Sequence, residues 1–251
     1  MAIAHPQTRQ FESFVTNLSY ARKMVRAGQA LEVLSPKGID TADFYRAAWV
    51  QSIAALEHWV QEEVLRRVAE EAAKDDPDMP RKLRDYPLPL HCVEQVQRGE
   101  TTTAEVVAER VRQDIARQTL QNPDAIAKVM ALVTDVKVWR EAAKWVNRWS
   151  QYRTSYDEKR LRSQYVLLLR RRNQIAHDAD LIDGDLKQRR PIGEVDVTDA
   201  LNWIERIALA LAYALEGDAS KPSGHLTPAP TPAPAPAGAS EAPGGDQLDT
   251  D

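Results

Sequence analysis

The sequence predicts an all-α protein with a disordered C-terminal tail rich in proline and alanine. Three observations carry this. Apolar residues recur at helical spacing through nearly all of residues 1–217. No stretch alternates apolar and polar residues for long enough to build a sheet. The composition changes near Asp218, after which large apolar residues almost vanish. The chain therefore divides into a helical domain, 1–217, and a low-complexity tail, 218–251.

The elements follow in order. Phe11 to Leu34 carries Phe11, Phe14, Val15, Leu18, Ala21, Val25 and Leu31, a helix period that Pro36 and Gly38 end. Asp40 or Thr41 caps a second helix reaching about Lys74, with Phe44, Ala48, Ile53, Leu56, Val60, Val64 and Val68 as its stripe. The prolines and aspartates between Asp75 and Leu90 mark a loop or short turns. A short helix around Cys92 to Gln97 stops at Gly99. The run from Thr101 to Glu105 offers hydroxyls and a carboxylate for a capped helix over Thr103 to Leu120.

Pro123 or Asp124 starts a further helix to about Val133. Asp135 to Trp149 repeats the helical period through Val138, Trp139, Ala142, Trp145, Val146 and Trp149. Core packing is the reading of these tryptophans, ahead of stacking on nucleic-acid bases. Lys159 to His177 is a long helix, Asp180 to Pro191 a polar loop, and Asp196 to Leu215 the last helix, capped by Asp196 or Thr198 and stopped by Gly217. Its apolar run Ile207 to Leu215 falls short of the roughly 18 to 20 residues that span a bilayer and reads as a core helix. The tail holds the run Thr227 to Gly238, alternating proline with alanine or threonine. It cannot bury enough surface to offset its ordering entropy, and reads as a linker or solubilising tail.

Composition narrows the function classes. Of 251 residues, 43% are hydrophobic and 28% charged, with a formal net charge of −4. An acidic chain of this kind touches RNA or DNA only through a local patch. Cys92 is the single cysteine, which excludes a disulfide framework and a cysteine-based zinc site within one chain. The polar start, Met1 to Arg9, lacks the apolar core of a signal peptide. The cytoplasm is the expected compartment, with no membrane association.

The one stretch that looks like chemistry is Arg170-Arg171-Arg172-Asn173-Gln174-Ile175-Ala176-His177-Asp178. Leu161, Tyr165, Leu168, Leu169, Arg172 and Ile175 share one helical stripe, so Arg172 faces the core and needs an acidic or anionic partner. Asn173 and His177 stack four residues apart, and all three side chains are expected to converge along one edge of the core. Arg170 and Arg171 point elsewhere and add positive charge. Arginine holds a phosphate bidentately, and histidine moves a proton near neutral pH. With a polar amide, these are sufficient parts for metal-independent RNA cleavage, in which the 2′-hydroxyl attacks its own phosphate. Arg84 and His91 also satisfy a loose arginine-to-histidine spacing, but Pro87 and Pro89 forbid a regular helix between them.

The string Arg172-Asn173-Gln174-Ile175-Ala176-His177, at the end of a long helix in an all-helical chain, resembles the HEPN superfamily, and more narrowly its RiboL-PSP and MAE-like groups. The segment Phe44 to His58 is similar to the helix that precedes the motif in those groups, with Arg46 and Glu57 at its basic and acidic positions. The resemblance spans about Phe11 to Gly217 and is weakest from Asp75 to Ser150.

It implies an up-and-down helical bundle with extra middle helices that dimerises through the motif helices, two copies of Arg172 and His177 forming one cleft. It further implies a metal-independent endoribonuclease acting in stress response, toxin–antitoxin systems or phage defence, with a possible neutralising partner protein. The expected catalytic residues are Arg172, His177, Asn173 and Glu57. Glu57 either orients Arg172 or His177 or is a solvated helix residue, and Arg46 is structural or peripheral. No cofactor or metal is expected. Asp178 and Asp180 could accept the His177 ring N–H or cap the turn. His5, His58, His91 and His225 lie in poor contexts for ligands, and Arg67, Arg81, Lys82 and Arg84 form a diffuse solvated cluster.

The alternative is a non-catalytic helical binding module, with Arg172 sealed in an ion pair and His177 capping its helix.

Overall fold

The structure, a computed structural model, describes residues 3–34, 37–74, 79–182 and 185–216. The expected tail and the Gly217 stop lie outside these residues. Among them are nine helices, α1 (Arg9–Leu34), α2 (Ala42–Ala73), α3 (Arg81–Arg84), α4 (Leu90–Gln97), α5 (Thr103–Ala116), α6 (Pro123–Met130), α7 (Val138–Trp149), α8 (Glu158–His177) and α9 (Glu194–Leu215). Two short antiparallel strands, β1 (Leu181–Ile182) and β2 (Asp185–Arg189), lie between α8 and α9. The protein is all-α, as its periodicity predicts.

α2 is the central helix and packs against α1, α5, α8 and α9. Its buried set, including Tyr45, Ala48, Ile53, Leu56, Trp59, Val60, Val64 and Val68, spreads over more than one stripe because it is covered on several sides. α1 buries one stripe, Phe11, Phe14, Leu18, Ala21, Val25 and Gly28, against it. Gly28 allows the close crossing, since a Cβ there would lie 2.9 Å from Cε1 of Tyr45. Trp59 anchors the other end of this pair, edge-on to Phe11 at 5.7 Å between ring centroids. The expected core segment Ile207 to Leu215 of α9 is buried throughout.

The tryptophans are core residues. Trp139 is buried, stacks beside Tyr165 at 5.7 Å and donates Nε1 to the Pro123 carbonyl at 2.8 Å. Trp145 and Trp149 close around Tyr213 of α9. No helix of the described residues is long and apolar enough to cross a membrane.

Several boundaries follow side-chain caps. Thr102 and Glu105 form a reciprocal capping box at α5, and Asn122 accepts from the Ala125 N–H at 2.7 Å to start α6. Asp157 does the same for α8 through the Arg160 N–H.

Other details differ from expectation. α9 begins at Glu194, where Asp196 reaches back to the Gly193 N–H. α5 ends at Ala116, and Leu120, expected in that helix, is a buried loop residue. The segment expected as a loop after Asp180 forms the β1–β2 hairpin, and α3 sits inside the other expected loop. Both are too short for periodicity to reveal. Arg67 is no solvated residue. It binds the buried Glu63 at 2.7 Å and the Leu215 carbonyl at 3.2 Å, tying the end of α2 to the end of α9.

Candidate functional site

α8 presents Leu161, Tyr165, Leu168 and Leu169 to the core, and Trp49 of α2 donates its indole N–H to the Leu168 carbonyl at 3.1 Å. The same stripe continues to Arg172, seven residues beyond Tyr165, where the side chain is half-buried. Sequence periodicity thus fixes where Arg172 sits. What surrounds it was only partly readable.

The guanidinium lies among neutral partners. Nη1 donates to Asn173 Oδ1 at 3.1 Å. Gln121, from the loop between α5 and α6, faces the same edge. With its amide oxygen toward the guanidinium, the orientation that pairs donor with acceptor, Gln121 accepts from Nη1 at 3.2 Å and Nη2 at 3.3 Å. The Nε edge is buried and makes no hydrogen bond.

Behind that edge lie Glu57 of α2 and Tyr165, both within electrostatic reach of Arg172. Glu57 Oε1 and the Tyr165 hydroxyl are also buried without a hydrogen-bond partner. Burial pushes the Glu57 carboxyl above its ordinary range, and the Arg172 charge offsets part of that rise. Burial also raises the Tyr165 hydroxyl, Glu57 adds to the rise and Arg172 opposes it. Glu57 therefore belongs to the Arg172 environment and is no solvated helix residue. Three unsatisfied buried polar atoms in one spot are unusual, because each carries a desolvation penalty.

His177 is exposed at the last residue of α8. Five residues of helix turn the chain by about 500°, so His177 points roughly 140° away from Arg172. The expected convergence is partial. Arg172, Asn173 and Glu57 are brought together, and within one chain His177 is not among them. Asn173 is half-buried and engages Arg172 rather than His177.

The end of α8 is fixed by a buried charge knot. Asp180 is fully buried and accepts from Arg46 Nε at 2.8 Å and from Arg171 Nη1 and Nη2 at 2.5 and 3.0 Å. Arg46, 5% exposed, also donates to Asp40, Asp43 and the Arg190 carbonyl. Arg46 is thus structural. Arg171, expected to point away as free positive charge, is committed to Asp180. Asp180 neither receives the His177 ring nor stands ready as a metal ligand. The turn places Ala179 at φ +48° and Asp180 at φ +61°, a left-handed pair that non-glycine residues adopt only under tertiary constraint. The knot supplies that constraint and aims the last turn of α8, with His177 on it.

Among the described residues no group of three histidine, cysteine or acidic side chains could hold a metal ion. A surface cleft of about 740 Å³ lies toward the other end of α8, lined by Arg140, Lys144, Arg162, Ser163 and Val166, and contains none of the four candidate residues.

Gln121 and the Asp180 knot are absent from the sequence pattern, and Tyr165 is read there only as a core residue of the stripe. Tyr165 had a signal, since it precedes Arg172 by seven residues on one face. Gln121 had none, because its meeting with Arg172 depends on how the middle helices fold back. No family model, no curated protein and no solved structure matches this chain.

Proposed function

We propose that this chain is a HEPN-like, metal-independent endoribonuclease acting as a homodimer. The observation that carries the reading is the state of Arg172, a half-buried guanidinium held by two neutral amides and by no carboxylate ion pair among the described residues. Seven other half-buried or buried arginines, Arg22, Arg46, Arg66, Arg67, Arg110, Arg162 and Arg171, are each paired with a carboxylate. A guanidinium left with neutral partners keeps its capacity for a bidentate phosphate.

In this reading Arg172 holds the scissile phosphate of RNA and stabilises the charge that builds on its oxygens. The 2′-hydroxyl oxygen bonds to phosphorus, the bond to the 5′-oxygen breaks, and a 2′,3′-cyclic phosphate is left. One proton leaves the 2′-oxygen and one reaches the departing 5′-oxygen. His177 carries one of these transfers, and Asn173 orients the guanidinium and substrate. Glu57 supports Arg172 from behind.

Because Arg172 and His177 face apart on one helix, the cleft draws them from two copies. The exposed Val166 and Leu167 on the outer face of α8 suit such a contact. The setting proposed is stress response, a toxin–antitoxin pair or phage defence in the cytoplasm, where a neutralising protein would cover the same cleft.

The same divergence is what favours a second reading, a non-catalytic binding module. Incubating RNA with purified protein in EDTA separates them. Cleavage leaving cyclic-phosphate ends, lost in folded His177→Ala and Arg172→Ala, supports the nuclease. Background cleavage equal in all three proteins supports the module.

A further inference from the structure

We propose that Gln121 gates the Arg172 site, its amide oxygen occupying on the guanidinium the place that a phosphodiester oxygen takes when RNA binds. The inference rests on the reading of Arg172 as the phosphate-binding residue and assigns a role to the middle helices, which that reading leaves unused.

Four observations support it. First, Gln121 accepts from both Nη1 and Nη2, at 3.2 and 3.3 Å, which is the edge an oxyanion engages. Second, the acceptor is a neutral amide oxygen, whereas a phosphodiester presents anionic oxygens that add charge attraction to the same bidentate geometry, so the anion outcompetes it. Third, the backbone on either side is anchored. Leu120 is 1% exposed in the core, and Asn122 caps α6 through the Ala125 N–H. The gate is therefore the rotation of one long side chain and needs no loop opening.

Fourth, the rest of the guanidinium is held in place from other directions. Asn173 takes Nη1 from within α8, and the Nε edge is buried with Glu57 and Tyr165 within electrostatic reach of the guanidinium. When Gln121 swings out, Arg172 stays aimed at the opening that Gln121 leaves. Gln121 thus acts through Arg172 as a gating residue and takes no part in proton transfer. It also keeps the cation from remaining bare in the free protein, where an unpaired half-buried charge is expensive.

The sign of two substitutions tests the gate. Binding of a 2′-O-methyl RNA, which lacks the attacking hydroxyl, is measured by fluorescence anisotropy for wild type, Arg172→Ala, Gln121→Ala and Gln121→Glu, each checked for helicity and melting temperature. If the closed state holds about nine chains in ten, Gln121→Ala binds roughly tenfold tighter, the reciprocal of the open fraction. Gln121→Glu places a carboxylate on the guanidinium and binds at least about tenfold more weakly, because an ion pair replaces a neutral contact. A merely structural Gln121 moves melting temperature without this opposed pair of affinities.

Weaker or unchanged binding in Gln121→Ala, while Arg172→Ala abolishes binding, overturns the gate and leaves the phosphate reading standing. Undiminished binding by Arg172→Ala overturns the phosphate reading itself, and the gate with it.

Discussion

Glu57 faces Arg172 across the α2–α8 interface without forming an ion pair with it, and Oε1 of the one and Nε of the other are both buried and unbonded. The Arg172 charge offsets part of the cost of charging the buried Glu57 carboxyl without the two locking together. The arginine stays stable enough to sit in the core edge and free enough to engage an anion. The Asp180 knot shows the opposite solution one turn away, where Arg46 and Arg171 are consumed by a single carboxylate.

The Glu57 carboxyl has a direction of pH dependence that can be measured. Its pKa is raised in the folded protein, above an ordinary value of 4.5. The folded state then binds more protons than the unfolded state in the window that opens near that value and extends upward. Stability attributable to Glu57 is fully present below the window and lost as pH rises through it. Urea denaturation from pH 4 upward should show wild-type stability declining in that window relative to Glu57→Gln, which lacks the titrating group. A variant profile that parallels wild type throughout contradicts this.

Asp180→Ala should be among the most damaging single substitutions. It removes the buried carboxylate that Arg46 and Arg171 share, leaves Arg46 only the half-exposed Asp40 and Asp43, and costs about 3 kcal/mol, the low end for a broken buried pair. The exposed neighbour Asp178 is the control, where alanine should fall within about 0.5 kcal/mol of wild type. Chemical denaturation of the two variants checks the contrast, and similar losses at both positions would remove the knot from the account.

Gly28→Val tests the α1–α2 crossing. A Cβ at this position meets the ring of the fully buried Tyr45 at 2.9 Å, so the added side chain forces a shift that costs about 1–3 kcal/mol. A thermal melt indistinguishable from wild type would mean that the helices separate without penalty.

Tyr165→Phe should be neutral or stabilising, by about 1 kcal/mol, because it removes a buried hydroxyl that has no hydrogen-bond partner while keeping the ring packed on Trp139. A loss of stability would show that the hydroxyl is satisfied in the native protein.

The reach of the sequence is clear in α8. Periodicity placed Leu161, Tyr165, Leu168, Leu169 and Arg172 on one inward stripe, and the structure agrees because helical geometry is local. Glu57 was singled out on the facing helix by the family resemblance alone. What stayed hidden is long-range. Gln121 reaches Arg172 across 51 positions of chain, and Asp180 reaches Arg46 across 134. Such meetings depend on helix packing and loop paths that carry no local pattern. The outward turn of His177 was readable from the five-residue spacing, but the pull of a shared motif with Arg172 concealed it. The Gly28 crossing was likewise invisible, since an isolated glycine in a helix looks like a weak spot until a partner ring is in place.

The most direct test of the central claim uses the divergence of Arg172 and His177. Arg172→Ala and His177→Ala proteins are purified, unfolded together, refolded as a mixture and assayed for RNA cleavage in EDTA. Each variant alone should be inactive. If the cleft joins Arg172 of one copy to His177 of another, the mixture regains about a quarter of wild-type activity, since half the dimers are mixed and each keeps one intact Arg172–His177 pair of two. Inactivity of the mixture, with wild type active after the same refolding, would contradict the composite cleft.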